Sequence, residues 1–135
     1  MVATGDGLMQ MLDVEISSVL GKYKSLGEPR APALVAGKSG VQHSFSFALG
    51  GLNSQDIVGD VIIGEDDEDE TKVLSLFIKV YDVGAKRALL CVCPRLTPEA
   101  LKLARLYNIL TIETPDPKQI PRMLEDVLKR LAGKP

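Results

Sequence analysis

The feature that most constrains the fold is a strand–helix–strand pattern in residues 87–113. Residues 88–93 are continuously apolar, which is typical of a strand buried on both faces. Thr97 and Pro98 then begin a helix, with Thr as N-cap and Pro at the first helical position. A second apolar strand follows at 109–113. Two strands joined through a helix are parallel with a right-handed crossover, so the pattern predicts an α/β fold.

The upstream half adds an antiparallel element to this sheet. Residues 41–49 alternate, with a hairpin-type loop at 50–54 and a second strand at 57–63. The alternation predicts one shared apolar face, formed by Val41, His43, Phe45, Phe47 and Leu49. We therefore expect a three-layer α/β domain with a mixed β-sheet, an antiparallel hairpin plus a parallel βαβ unit, flanked by helices.

Helical periodicity predicts the layers that cover this sheet. We expect helices at about 7–25, 70–83, 98–108 and 117–132, the last being the C-terminal helix. The helix at 70–83 has an apolar stripe of Val73, Leu74, Phe77, Val80 and Tyr81, and Gly84 fits its end. Residues 1–135 are interpreted as a single domain with a core at 7–113, because the chain has the length of one domain.

Composition excludes several classes of protein. A hydrophobic fraction of 45% argues against a wholly disordered chain. Neither a leader segment nor an apolar run of about 20 residues is present, so we expect a cytoplasmic protein without membrane contact. Cys91 and Cys93, the only cysteines, lie in an apolar run and are interpreted as buried small hydrophobes, too few to form a metal site.

Charge is distributed unevenly along the chain. Residues 65–70 are six consecutive acids, which we interpret as a solvated, mobile loop. Residues 71–135 hold twelve basic and six acidic residues, so this half is mildly basic. That balance is compatible with nucleic acid, and Lys38, Lys86 and Arg87 are the candidate contacts.

Few residues are candidates for chemistry. His43, the only histidine, is interpreted as a hydrogen-bonded structural residue, with a site residue as the alternative. Asp56 and Asp60 share one side of a regular strand and could hold Mg²⁺, although a capping and a strand-edge role are the simpler interpretation. The sequence at 37–40, Gly-Lys-Ser-Gly, is a turn, because a strand rather than a helix follows it, but its amides and Lys38 could meet a phosphate oxygen.

Two stretches resemble a known family. They are the turn and strand at 37–45 and the block at 79–109, in which Ala100 and Ala104 precede a strand beginning Ile109-Leu110. With the order of elements, they resemble the Mrr-like branch of the restriction-endonuclease-like, PD-(D/E)XK, superfamily. The resemblance covers about residues 7–113 and implies that fold.

The catalytic pattern of that family is incomplete here. It comprises an Asp near the first hairpin strand and a Glu/Gln-x-Lys on the second, which hold Mg²⁺ and activate water. The resemblance puts the first position near Gln42 or His43 and the second on Asp60-Val61-Ile62, where Ile62 replaces the Lys. His43, Asp56 and Asp60 are therefore remnant candidates, and no residue is assigned a catalytic or metal-binding role.

The resemblance implies a non-catalytic module that binds protein or nucleic acid, in transcription or DNA maintenance. Some archaeal domains of similar type interact with the TATA-binding protein, which makes a protein partner one expectation and DNA another; a homodimer is a third. We expect no cofactor. The alternatives are an active endonuclease with a migrated site, which would need Mg²⁺, and an unrelated small α/β binding domain.

Overall fold

The protein is described by a computed structural model covering residues 4–50 and 55–133, with side chains described for 7–50 and 56–133. The helices are α1 (Thr4–Gly21), α2 (Glu70–Val83), α3 (Pro98–Leu106) and α4 (Ile120–Ala132). The strands are β1 (Glu28–Arg30), β2 (Ala33–Ala36), β3 (Gln42–Phe45), β4 (Phe47–Gly50), β5 (Gln55–Ile63), β6 (Arg87–Cys93) and β7 (Ile109–Glu113). Short 3-10 turns lie at Lys24–Leu26 and Pro117–Gln119.

Five strands form one mixed sheet, in the order β1-β4-β5-β6-β7. The strands β5, β6 and β7 are parallel, whereas β4 is antiparallel to both β1 and β5. The strands β2 and β3 pair separately as a small antiparallel sheet. An α/β fold with a mixed sheet is therefore confirmed. It contains two consecutive βαβ units, through α2 and through α3, where the sequence predicted one.

Helices cover both faces of the main sheet. On one face, residues of α2 and α3 such as Val73 and Ala104 pack with Leu90 of β6. On the other, residues of α1 and α4 pack with Leu89 and Cys91 of the same strand. Since successive strand residues face opposite ways, β6 contributes to both cores, as its unbroken apolar sequence requires.

Local sequence signals begin α3 and end α2 at the expected residues. The Thr97 hydroxyl accepts a hydrogen bond from the amide of Ala100 at 3.2 Å, and α3 begins at Pro98. Gly84 ends α2 with a φ of 73°, in the left-handed region that glycine adopts without steric cost. The predicted C-terminal helix differs, because a 3-10 turn precedes α4, which begins only at Ile120.

The strand predicted at 41–49 is two strands in two sheets, so that prediction was wrong. Phe45 is buried on the α2–α3 face, whereas Phe47 and Leu49 are buried on the α1–α4 face. Val41 is 55% exposed and does not share their environment. The alternation continues across Ser46, but the chain changes sheet there, so its residues do not share one face. The hairpin is present as β4 and β5, and 51–54 lie outside the described residues.

The apolar stripe expected on α2 is rotated. Leu76 is buried at 1% exposure, whereas Leu74 and Tyr81 are 40% and 76% exposed. The inner face of α2 is therefore centred on Val73 and Leu76. This leaves an apolar strip of α2 facing solvent.

The second half of the acidic run is held by hydrogen bonds. The Glu68 amide donates to the Arg95 carbonyl at 2.9 Å, and the Glu68 carbonyl accepts from the Thr97 amide at 2.9 Å. Asp69 is the N-cap of α2, where its side chain accepts from the Thr71 amide at 3.0 Å. The run thus joins β5 to α2 and lies beside the segment that follows β6.

The two cysteines have the environment that was expected of them. Cys91 is 0% and Cys93 5% exposed, and neither forms a disulfide. Burial raises the pKa of the Cys91 thiol to about 12, so it stays protonated at neutral pH. Among the described helices, none is long and apolar enough to cross a membrane.

Candidate functional site

The bend between β3 and β4 creates the first candidate site. Pairing of β4 with β5 ends where Phe47 lies opposite Gly59, and Ser46 stands just beyond that point. The Ser46 amide donates to Asp60 at 3.1 Å, and the Ser46 hydroxyl accepts from the Val61 amide at 2.9 Å. Both amides are thereby satisfied where the chain leaves the sheet. The hydrogen bond from the Ser46 amide therefore holds the Asp60 carboxylate in place and stabilises the bend.

Lys79 of α2 reaches the same carboxylate. Its Nζ lies 2.6 Å from Asp60 Oδ2 and 2.7 Å from the Ser44 carbonyl oxygen, and 4.7 Å from the centre of the Phe45 ring. The side chains of Lys79 and Asp60 are 21% and 18% exposed. The pair is therefore mostly removed from water, and the charge of Asp60 is neutralised within the protein.

Asp82, one turn further along α2, gathers a second set of contacts. Its carboxylate accepts from the Ser39 hydroxyl at 2.6 Å and from the Ser39 amide at 2.9 Å, and lies 2.7 Å from His43 Nε2. Hydrogen bonds from Ser39 and His43 lower the pKa of Asp82 to about 2. We call Ser39, His43, Asp60, Lys79 and Asp82 the polar cluster.

The polar cluster does not contain a catalytic triad. A nucleophilic serine needs a base next to its hydroxyl. Here Ser39 and His43 both contact Asp82. His43 is hydrogen-bonded to Asp82 and its side chain is 14% exposed, which is compatible with the structural interpretation of this residue.

The glycine-rich turn at 37–40 docks onto the end of α2 through these contacts. The Lys38 amide donates to the backbone carbonyl of Asp82 at 2.9 Å. A side chain at Gly37 would overlap the Asp82 carboxylate, so a larger residue there would force Asp82 away from Ser39 and His43. The Ser39 amide, which the sequence suggested for a phosphate oxygen, already holds a carboxylate of the protein.

Asp56 and Asp60 do not form one site. Four residues of extended strand separate them by about 13 Å, too far to share one metal ion. Asp56 lies 3.4 Å from Lys86, whereas Asp60 contacts Lys79. Within residues 7–50 and 56–133, no group of three His, Cys, Asp or Glu side chains is arranged to hold a metal.

The second candidate site lies at the end of the sheet where β6 and β7 begin. An open cleft of about 460 Å³ is lined by six residues at this end. We call it the basic cleft, and its lining is Lys86, Arg87, Arg105, Asn108, Ile109 and Leu110. The lining contains three cations and no acid.

The fold explains why these cations meet. Lys86 and Arg87 stand where β6 begins, beside Ile109, because Ala88 pairs with Ile109 in parallel register. Arg105 is in the last turn of α3, and the crossover returns that end of the helix to the start of β7. Asn108, with a φ of 59°, makes the turn between them.

The structure brings two of the three predicted nucleic-acid contacts together. Lys86 and Arg87 line the basic cleft, and Lys38 does not. The Lys38 side chain instead passes over Gly84, its Cε 3.5 Å from where a Cβ of residue 84 would be. Gly84 precedes Lys86 by two residues, so Lys38 lies at the same end of α2.

Sequence reasoning missed Lys79, Asp82, Arg105 and the role of the Ser39 hydroxyl. The first two could have been noticed as a pair, because charged residues three apart in a helix lie on the same side of it. Ser39 carried no signal beyond its place in a turn. Arg105 needed the crossover geometry, because it is eighteen residues from Arg87.

No protein-family model and no curated protein matches the chain in sequence. Solved structures of low sequence identity resemble it, among them the following two. A protein of unknown function, AF1548, superposes with a TM-score of 0.61 at 12% identity, over 76% of this chain and 56% of its own. Protein VC1899 from Vibrio cholerae superposes with a TM-score of 0.59 at 14% identity, over 88% of this chain and 33% of its own. The similarity shows a shared α/β fold, and this chain spans about half and one third of their lengths.

Proposed function

We propose that this chain is a non-catalytic domain of the restriction-endonuclease-like class that binds nucleic acid through the basic cleft. The observation that carries the proposal is the convergence of Lys86, Arg87 and Arg105 on one open cleft. Neither Arg87 nor Arg105 forms an ion pair with an acid in the described part of the chain. Unneutralised, exposed guanidinium groups are suited to phosphate oxygens, which they can contact in a bidentate manner.

The state of Asp60 supports the non-catalytic part of the proposal. In the family that the sequence resembles, the acid on this strand holds Mg²⁺ and a Lys two residues on helps to activate water. Here Ile62 stands at the Lys position and packs against the α2–α3 core. Lys79 reaches Asp60 from the helix instead and occupies the carboxylate that would have to bind the metal. The Lys79 ammonium group pairs with the Asp60 carboxylate but does not replace a metal ion that would activate water as a nucleophile.

The order of the strands is compatible with the class. The sequence resemblance implies an antiparallel hairpin leading into a helix, a buried strand and a final helix–strand unit, and β4 to β7 follow that order. The hairpin carries Asp60 on its second strand. This agreement supports the proposed fold class. The proposed function is argued separately from the site, because function depends on the site rather than on the fold.

Binding is tested by fluorescence anisotropy with labelled DNA and RNA at low and high salt. We expect binding whose affinity falls steeply with salt, because phosphate contacts release counterions. Replacing Lys86, Arg87 and Arg105 together by Ala should abolish most of it. The matched control replaces three exposed cations outside the cleft, Lys118, Lys129 and Arg130, and removes the same charge.

Four outcomes decide the proposal. Salt-dependent binding that the cleft variant loses and the control variant keeps supports it. Equal losses in both variants would show attraction to net charge alone, and absence of binding at low salt would remove nucleic acid as the partner. Cleavage with Mg²⁺ or Mn²⁺ that Asp60→Ala abolishes would instead establish the nuclease alternative.

A further inference from the structure

A row of aromatic rings, partly buried at Phe77 and Tyr107 and exposed at Tyr81, leads to the basic cleft. Phe77 of α2 stacks on Tyr107 with ring centres 4.0 Å apart and planes 16° apart. Tyr81, one turn along α2, lies 6.2 Å from Phe77 between centroids. Tyr81 is 76% exposed. The row contains three of the six aromatic residues of the chain, although aromatics make up only 4% of it.

The row and the cleft are continuous in the chain. Tyr107, at one end of the row, directly precedes Asn108 of the cleft lining. Tyr81, at the other end, precedes Lys86 by five residues, which span at most about 18 Å even when fully extended. A ligand of a few linked units can therefore contact both.

From this juxtaposition we infer that the ligand of the basic cleft is single-stranded nucleic acid, with a base stacked on Tyr81. The inference rests on the proposed function and deepens it. A positively charged groove next to an accessible aromatic ring is the combination by which proteins bind single strands. A duplex keeps its bases stacked on one another and has none to offer to the ring.

The surroundings of Tyr81 fit a flat apolar ligand better than a phosphate. Ile78 and Leu106, in the adjoining surfaces of α2 and α3, are 62% and 72% exposed. The neighbouring acid, Asp82, is turned to Ser39 and His43 and is occupied by them. Phosphates therefore belong in the cleft and a base on the ring, in keeping with the charge of each part.

The test uses Tyr81→Trp as a reporter, because the chain has no tryptophan. Its fluorescence is followed while oligonucleotides of about twelve nucleotides are added, a length within the site sizes of single-strand-binding folds. Four ligands are compared: single-stranded DNA, single-stranded RNA of the same sequence, the DNA duplex, and an abasic strand with phosphates but no bases. Quenching by a single strand, but not by the duplex or the abasic strand, is the expected result. The DNA and RNA arms show which sugar is preferred.

Affinity measurements provide the second readout. Tyr81→Ala should weaken single-strand binding about tenfold, whereas Tyr81→Phe should bind like the native chain, because the ring is retained. Val14→Ala, at a 70% exposed position of α1 on the opposite face of the sheet, is the control for removing an exposed apolar side chain.

The possible failures are distinguishable. If the duplex binds as tightly as the single strand and Tyr81→Ala changes nothing, while the triple cleft variant still loses binding, the inference falls and the proposed function stands. If no oligonucleotide binds to the native chain at low salt, both fall. A Tyr81→Ala loss that Tyr81→Phe shares would also overturn the stacking role, because the ring would then not be what matters.

Discussion

The polar cluster and the basic cleft both involve residues at or near the end of α2, yet they treat charge in opposite ways. In the polar cluster, Lys79 neutralises Asp60, and Asp82 is enclosed by Ser39 and His43. In the basic cleft, cations gather without acids among the lining residues, and Lys86 is 73% exposed even though it lies near Asp56. Charges satisfied within the chain stabilise the fold, whereas charges left over are available to a ligand.

The largest expected effect is on the polar cluster. Lys79→Met should lower the free energy of unfolding by about 2 kcal/mol, because Asp60 would keep a largely buried charge without its partner. Urea denaturation measures the change. Lys72→Met, at an exposed position of the same helix, is the control and should be nearly neutral. Adding Asp60→Asn to Lys79→Met should restore part of the loss, since the amide oxygen can still accept from Ser46. Equal stability of Lys79→Met and Lys72→Met would contradict a structural role for the Lys79–Asp60 ion pair.

In the basic cleft the effect should appear in binding and not in stability. Arg105→Ala is expected to weaken nucleic-acid binding about tenfold, or about 1.4 kcal/mol, and to reduce the slope of log affinity against log salt by about 0.7. Anisotropy titrations at several salt concentrations measure both, and denaturation should show no change. Lys102→Ala, three residues earlier on α3, removes the same charge outside the cleft. Equal binding by Arg105→Ala and Lys102→Ala would contradict a specific role for the cations of the basic cleft.

Gly84 connects the two regions, and its replacement sharpens the comparison. Gly84→Ala should cost about 1 kcal/mol of stability, because a side chain at a φ of 73° is strained. The space itself is open, since the nearest atom to a new Cβ would be Lys38 Cε at 3.5 Å. Gly84→Asn should cost less, as Asn tolerates this conformation. Thermal denaturation of both variants checks the order, and the reverse order would show that contact with Lys38 matters more than φ.

The smallest expected effect is a change in stability at acidic pH, through Asp82. The pKa of Asp82 is about 2 in the folded protein against an ordinary 3.8, so the ionised carboxylate stabilises the fold above pH 3.8. That contribution is lost as the pH falls towards 2. Denaturation curves across this interval should show a steeper loss for the native chain than for Asp82→Asn. Parallel curves would indicate that the contacts of Asp82 add nothing to stability.

The sequence predicted the parts of the fold that local chemistry decides. Thr97 begins α3 as its N-cap, and Gly84 ends α2 in the left-handed conformation. Both act through contacts within a few residues, so the local sequence is enough to predict them. The change of sheet at Ser46 could not be predicted in this way. It depends on the hydrogen bond from Ser46 to Asp60, 14 residues further along the chain, and on the pairing of β3 with Ala33–Ala36.

The same limit applies to the candidate site. Lys86 and Arg87 were found because they are adjacent, whereas Arg105 joins them only through the return of α3. The contacts of Asp60 with Lys79 and of His43 with Asp82 span 19 and 39 residues. Composition indicated a basic half, and only the three-dimensional arrangement separates the cations used for folding from those that remain.

The order of the strands also determines how copies of this chain could associate. One edge of the main sheet is β1, a strand of three residues with Pro29 at its centre, which has no amide hydrogen to donate. The other edge is β7, five residues long and free of proline. A homodimer built by extending the sheet would therefore join two β7 strands antiparallel about a twofold axis, giving one continuous sheet of ten strands from two sheets of five.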